Sequence, residues 1–501
     1  MMEYTERDRL LGGEPERSSE MEAVPEKGHQ NARRITQYIA ALIAMGGALS
    51  AGAVFGWSSP AQVRLTNQTE YGFPINDEEW SWVGSTITLG AAFSCAIIGT
   101  IITFFGRKNT MLGLVVPFTV GWALVCWANS VAMLLVGRIL LGISGGAFFV
   151  VAPMYIGEIA EKEIRGALGS FFQLMVTTGI LFVYAVGYDL NVFTFSIICG
   201  VLPLAFAAAF VFMPESPLYL VSKNRSEDAI KSLKWLRGEH YDYNHELNEL
   251  QSQHEADINN RISILTALKR RATVKALIII VGLMFFLQLS GINIVIFYTG
   301  FIFDAAHIDI KTELATILIG IMQVVATFVA SMIVDKTGRR VLLLISISVM
   351  AISKILLGVY FYLYSEDPAS VENLGWLPVF ALCLYIIVFS LGFGPIPWLM
   401  VGELFASDIK GIGGSAAGAF SWIFAFVVTK TFSNIQTAIG IGPTFFLLSG
   451  FSILGTVFVF FVVPETKGKS LAEIQTMLGG TGNSSSSDED TDVTVSVNDE
   501  R

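Results

Sequence analysis

PWLMVGELFASDIKG, residues 397–411, repeats in altered form a stretch met in the first half of the chain, PMYIGEIAEKEIRG, residues 153–166. Both begin at a proline closing an apolar run and both carry Gly-Glu. In each, a basic residue followed by glycine stands seven positions after the glutamate: Glu158 with Arg165, Glu403 with Lys410. Two further motif pairs keep the same order. FFGRK (104–108) matches DKTGRR (335–340), and PESP (214–217) matches PETKG (464–468). Three pairs in one order mean an internally duplicated chain.

The unit that is duplicated is set by hydropathy. Of 501 residues 53% are hydrophobic and 15% charged, and mean hydropathy is +0.60, outside the range of a water-soluble domain of this length. Apolar stretches near the roughly 20 residues needed to cross hydrocarbon fall at 36–57, 81–104, 110–129, 132–154, 166–187 and 192–213. Six more fall at 274–303, 311–334, 340–363, 375–402, 411–435 and 440–463. The expected fold is an all-α membrane protein of twelve transmembrane helices in two six-helix halves. The chain divides into an N-terminal tail (1–35), a first half (36–213), a helical linker (214–272), a second half (273–463) and an acidic tail (464–501).

No short cationic start with a cleavage site precedes the first span, so no cleaved signal peptide is read. Arg107 and Lys108, the basic linker end LKRRATVK, and Arg339 with Arg340 all fall between even and odd spans, which places those loops and both termini in the cytosol. On the opposite side, in the loop 58–80, NQT makes Asn67 an N-glycosylation candidate. Cys95, Cys126, Cys199 and Cys383 sit inside apolar spans without metal-like spacing. With no nucleophile-and-base pair, metal cluster or phosphate loop, neither an enzyme, a metal nor a cofactor is expected, and no nucleic-acid partner.

A duplicated six-span bundle with a cytosolic linker is the plan of a secondary transporter. Two readings of the charges at the helix ends follow. Glu158 with Arg165, Glu403 with Lys410, and Asp335 with Arg339 or Arg340 form a gate by pairing between helices, or they merely orient helices at the interface. Within the spans, Gln173, Gln288, Asn293 and Gln323 are amides at membrane depth, each able to donate and accept to a hydroxyl or to a neighbouring helix. In FSLGFGPIPWLMVGELF (389–405), glycines and prolines make a straight helix through Gly392–Pro397 untenable.

The motifs together resemble the sugar porters of the major facilitator superfamily, over about 36–470: GRK and GRR, PMYIGE…RGALG, PESP, QLSGIN…FY, GPIPW and PETKG. GLMFFLQLSGINIVIFYT, LGWLP, SLGFGPIPWLM and FVVTKTF are most similar to insect facilitated trehalose transporters and, at one remove, class III facilitative glucose transporters. The resemblance implies that Gly392, Gly394, Pro395 and Pro397 are a hinge in a discontinuous tenth helix and Trp398 a cavity wall. It implies that Gln173, Gln288 and Asn293 bind sugar, that Trp422 is a second stacking wall, and that Phe297 with Tyr298 is an outer gate.

Departures from the family pattern bear on the substrate. Leu287 stands where a first glutamine is usual, Gln323 where the eighth span usually has asparagine, and Ser421 before Trp422 where asparagine is common. Each lost amide removes a hydrogen bond worth roughly 1 kcal/mol, which disfavours ordinary glucose affinity. Leu218 and Lys410 each replace an arginine usual in the family. Proton-coupled relatives carry a carboxylate in the first span; IAALIAMGGALSAGAVFGW has none. The expected activity is therefore facilitative transport of a sugar, trehalose or a hexose, by alternating access. The alternatives are a proton-coupled sugar or polyol symporter and a non-transporting sugar sensor.

Partners are then a small sugar and the lipid bilayer, the transport unit being a monomer. ERDRLL, with Glu6, Leu10 and Leu11, matches an acidic dileucine sorting pattern read by adaptor proteins. It sets endosomal or lysosomal membranes against the cell membrane as the location.

Overall fold

The computed structural model describes residues 33–479 apart from 68, 69, 240, 260–265, 267, 308, 309, 407 and 408. Glu6, Leu10 and Leu11 lie outside these residues, and so do the side chains of Asn67 and Asp335.

Every regular element among the described residues is helical, and twelve spans are long and apolar enough to cross a membrane. The first six are Arg34–Thr66, Asp77–Phe105, Arg107–Cys126, Val131–Ile159, Glu163–Val186 and Val192–Phe210. The second six are Arg271–Ala305, Thr312–Val334, Arg339–Glu366, Leu377–Leu404, Lys410–Ile439 and Ile441–Val462. Between them lie the linker helices Pro217–Ser222, Ser226–Arg237 and Tyr243–Asn259. Large apolar side chains such as Phe104, Phe212, Val116 and Phe461 are exposed on the outside of the bundle, where lipid rather than water is the solvent.

Among the boundaries that differ from those read by hydropathy, two flank the expected 58–80 loop. The first span continues past Trp57 as the helix Ser58–Asn67, so much of the expected 58–80 loop is helical; Arg64 anchors it through the carbonyls of Gly187 and Tyr188 at 3.3 and 3.0 Å. The second span starts at Asp77 rather than 81, because Asn76 and Glu79 form a reciprocal capping box: each side chain accepts from the other's backbone N–H, at 2.8 and 3.0 Å.

The halves meet where the second span packs on the eleventh and the fifth on the eighth. Two spans of the second half are discontinuous. In the seventh, helices Arg271–Leu289 and Ile292–Ala305 join through Ser290 and Gly291, whose φ of 88° favours glycine. In the tenth, helices Leu377–Leu391 and Ile396–Leu404 join through the GFGP segment. Gly392 there touches the ninth span so closely that a Cβ would sit 2.4 Å from that of Ser346. The freed N–H of Phe393 donates to Ser346 Oγ at 3.1 Å, so the break is satisfied inside protein.

Candidate functional site

Both discontinuities open onto one cavity at the seam between the halves, with about 660 Å³ of space counting its open mouth. Gln173, Gln288, Asn293, Gln323, Trp398, Trp422 and Gly394 all line it. Five spans supply these side chains, so residues far apart in sequence converge on one surface.

The amides fall into two classes. Asn293 donates to Gln288 Oε1 at 2.6 Å, and Gln288 in turn donates to Ser421 Oγ at 2.8 Å, a chain that crosses the break in the seventh span. Ser421 is fully buried behind the wall, so it orients Gln288 rather than facing the cavity. Gln173 and Gln323 make no side-chain hydrogen bond among the described residues, which leaves their donors and acceptors available to a ligand.

Apolar groups complete the wall. Leu287 lies on it, where an amide would add a polar contact. Phe55 and Phe149 of the first half also line it and pack on Trp422: Phe55 is parallel to the indole at 5.0 Å and Phe149 edge-on at 5.6 Å. One face of Trp422 is therefore covered by Phe55. Phe297 and Tyr298 stand off the wall. Phe297 is buried and parallel to Phe55 at 6.4 Å, and the Tyr298 hydroxyl is 3.4 Å from the Thr429 carbonyl. Gly392, Pro395 and Pro397 lie in the broken segment without lining the cavity.

Beyond the cavity, toward the end carrying Ser59 and Tyr298, the halves are fastened directly. Tyr184 donates to the Ile296 carbonyl at 2.8 Å, Gly300 N–H donates to Ser59 Oγ at 3.0 Å, and Lys430 pairs with Glu78 at 2.7 Å.

At the other end the expected charge partners are exchanged. Glu158 pairs with Arg107 at 2.7 Å, not with Arg165, whose guanidinium turns back to the Ala160 carbonyl at 3.2 Å. Glu403 pairs with Arg339 at 3.1 Å, not with Lys410. An interval of seven residues puts each glutamate and its following base on either side of a helix boundary, whereas the glycine-arginine turns lie directly beside the glutamates. Each glutamate also accepts from a hydroxyl, Ser216 on Glu158 and Thr466 on Glu403. Arg340 donates to the Phe460 carbonyl.

Glu215 and Glu465 complete the two junctions. Glu215 accepts from the backbone N–H groups of Arg107 and Lys108, and Glu465 from those of Arg339 and Arg340, at 2.9–3.1 Å. Both therefore cap helix N-termini, where orphan donors and the helix dipole favour a carboxylate. Partial burial raises the Glu465 carboxyl, and the backbone N–H groups of Lys467, Arg339, Arg340 and Thr466 more than offset this, leaving it below its ordinary value. The PESP and PETKG repeat carried the signal for both residues.

Two buried cations were also missed, although a lone basic residue inside an apolar span is itself a signal. Arg138 donates to the carbonyls of Val54 and Val83 and to Ser58 Oγ, at 2.9, 3.2 and 2.6 Å, with Trp57 against its guanidinium. Lys354 lies equally deep in the ninth span.

Twelve spans in two halves around a central seam cavity define a carrier of the major facilitator fold. The xylose transporter XylE of E. coli, in a partially occluded inward-open conformation, superposes with a TM-score of 0.73 over 87% of this chain and 100% of that one, at 24% identity, a likeness of fold. The family model "Sugar (and other) transporter" matches residues 39–478, and the chain belongs to that family. The facilitated trehalose transporter Tret1 of Polypedilum vanderplanki is 40% identical over 446 residues, 89% of this chain and 88% of that protein. Tret1 of Aedes aegypti is 40% identical over 446 residues, 89% of this chain and 55% of that protein.

Proposed function

We propose that the protein carries a sugar, trehalose before a hexose, down its gradient as a uniporter that alternates access by rocking its halves. The observation that carries this reading is the convergence of Gln173, Gln288, Asn293 and Gln323 with Trp398 and Trp422 on one cavity at the seam. Amides match hydroxyls in both donor and acceptor sense, and indole faces suit the apolar faces of a pyranose. The curated relatives are named as facilitated trehalose transporters, which favours the disaccharide.

Uniport is favoured by the wall itself, built of amides, aromatic rings and aliphatic groups, and by a first span without Asp or Glu. The protein works in the cell membrane as a single chain. Its GR-motif end and both termini face the cytosol, Asn67 is glycosylated outside, and Glu6, Leu10 and Leu11 recruit adaptors.

The test is uptake of labelled trehalose and labelled glucose into proteoliposomes, with and without an inward proton gradient. Trehalose flux indifferent to the gradient is expected. Flux that requires the gradient makes the protein a symporter, and sugar binding without flux makes it a sensor.

A further inference from the structure

Lys354 sits in the middle of the ninth span with 2% of its surface exposed. An ammonium at such depth is costly unless its protons are taken up. All three of its donors are used: on the carbonyls of Ser290 and Leu448, at 2.9 and 2.8 Å, and on the hydroxyl of Ser452. Every one of these acceptors is uncharged.

Ser290 is where the seventh span breaks. Its carbonyl belongs to the set that a helix end leaves without an intrahelical donor, and the dipole of Arg271–Leu289 favours a cation there. Tyr385, from the tenth span, donates to the same carbonyl at 3.0 Å and places its ring 6.0 Å from Lys354 Nζ. Gln288 and Asn293 flank this point, and the hydrogen bond between them closes across the break. The angle between the two helix segments therefore sets how both amides are presented to the cavity. The first half has a parallel: Arg138, also buried and also on neutral acceptors, holds Val54 and Ser58 on either side of Trp57, where the helix Arg34–Gly56 passes into Ser58–Asn67.

We propose that Lys354, with Tyr385, is a positioning residue for sugar recognition: it fastens the Ser290 carbonyl and thereby fixes the bend that aims Gln288 and Asn293. The proposal rests on the reading of the cavity as a sugar site.

Lys354→Met keeps the side-chain length and removes the charge; because a buried charge is itself costly, the exchange does not condemn the fold. In the purified full-length chain, KM for trehalose uptake is expected to rise roughly tenfold with the maximal rate within about twofold, the split of an interaction used in binding. Tyr385→Phe is expected to raise KM about threefold, and the double variant to exceed Lys354→Met little, since both act on one carbonyl. Backbone amides of residues 288–294 should exchange deuterium faster in Lys354→Met.

A lowered melting temperature with unchanged KM shows a purely structural lysine and overturns the proposal. If Lys354→Met does not fold, unchanged KM in Tyr385→Phe overturns it. If the native chain takes up neither trehalose nor glucose, the functional reading has failed, and exchange alone decides: unaltered protection at 288–294 in Lys354→Met overturns the pin, and faster exchange supports it.

Discussion

The Lys430 ammonium of the eleventh span stands 2.7 Å from the Glu78 carboxylate at the start of the second, and 4.8 Å from the Trp82 ring. This pair joins the two halves, whereas Arg107 with Glu158 and Arg339 with Glu403 each stay inside one half. Charge at the GR-motif end thus stiffens the moving bodies, and charge at the opposite end holds them together. Glu78 is largely exposed, so the pair is a weak, salt-screened fastening. Glu78→Gln should speed thiol labelling of Val63→Cys, on the hollow at that end, by about twofold to fivefold in a cysteine-free background. Exchanging the two charges should restore the slow rate; equal rates in Glu78→Gln and its parent would remove the pair from the gate.

The two classes of amide should respond differently to the same chemical change. Gln323→Leu removes groups that make no side-chain hydrogen bond among the described residues, so KM for trehalose should rise about fivefold while melting temperature stays put. Gln288→Leu strips partners from both Asn293 and Ser421 and should lower melting temperature as well. Uptake kinetics paired with thermal unfolding separate the cases.

Leu287 lies on the cavity wall beside Gln288. Leu287→Gln adds one amide there, and a single extra hydrogen bond of roughly 1 kcal/mol should lower KM for glucose about fivefold. A variant no better than the parent would show that the hexose does not reach this part of the wall.

Glu465 gives the junction at the end of the twelfth span a pH dependence whose sign is fixed. Its carboxyl titrates below the ordinary 4.5, so its contribution is fully present above that value and is lost as pH falls through the depressed one. Glu465→Gln should therefore melt below the native chain at pH 7, with the gap closing as the buffer is taken under pH 4.5. A gap independent of pH would assign the loss to packing.

The twelve spans and the break in the tenth were legible because hydrophobic length, glycine and proline act locally; the break in the seventh, which turns on Gly291 alone, was not read. The cavity amides were legible for a related reason: Gln173, Gln288, Asn293 and Gln323 interrupt apolar runs. Phe55 and Phe149 gave no such contrast, being aromatic residues among aliphatic ones. The partners of Glu158 and Glu403 could not be read from spacing, because they come from the turn between two other spans and only the folded half brings them together. Ser421 was visible as a departure, yet its place behind Gln288 depends on how the seventh and eleventh spans pack.

The tenth span has a mechanical consequence. Its final segment, Ile396–Leu404, is fastened at both ends: near its start Phe393 is held by Ser346, and at its finish the Leu404 carbonyl accepts from Gln475 of the short helix Leu471–Met477 at 2.7 Å. Trp398 rides on this strut, so its place on the cavity wall is tied to a helix outside the membrane-spanning bundle. Tension on the chain after the twelfth span is thereby transmitted to the wall of the seam cavity.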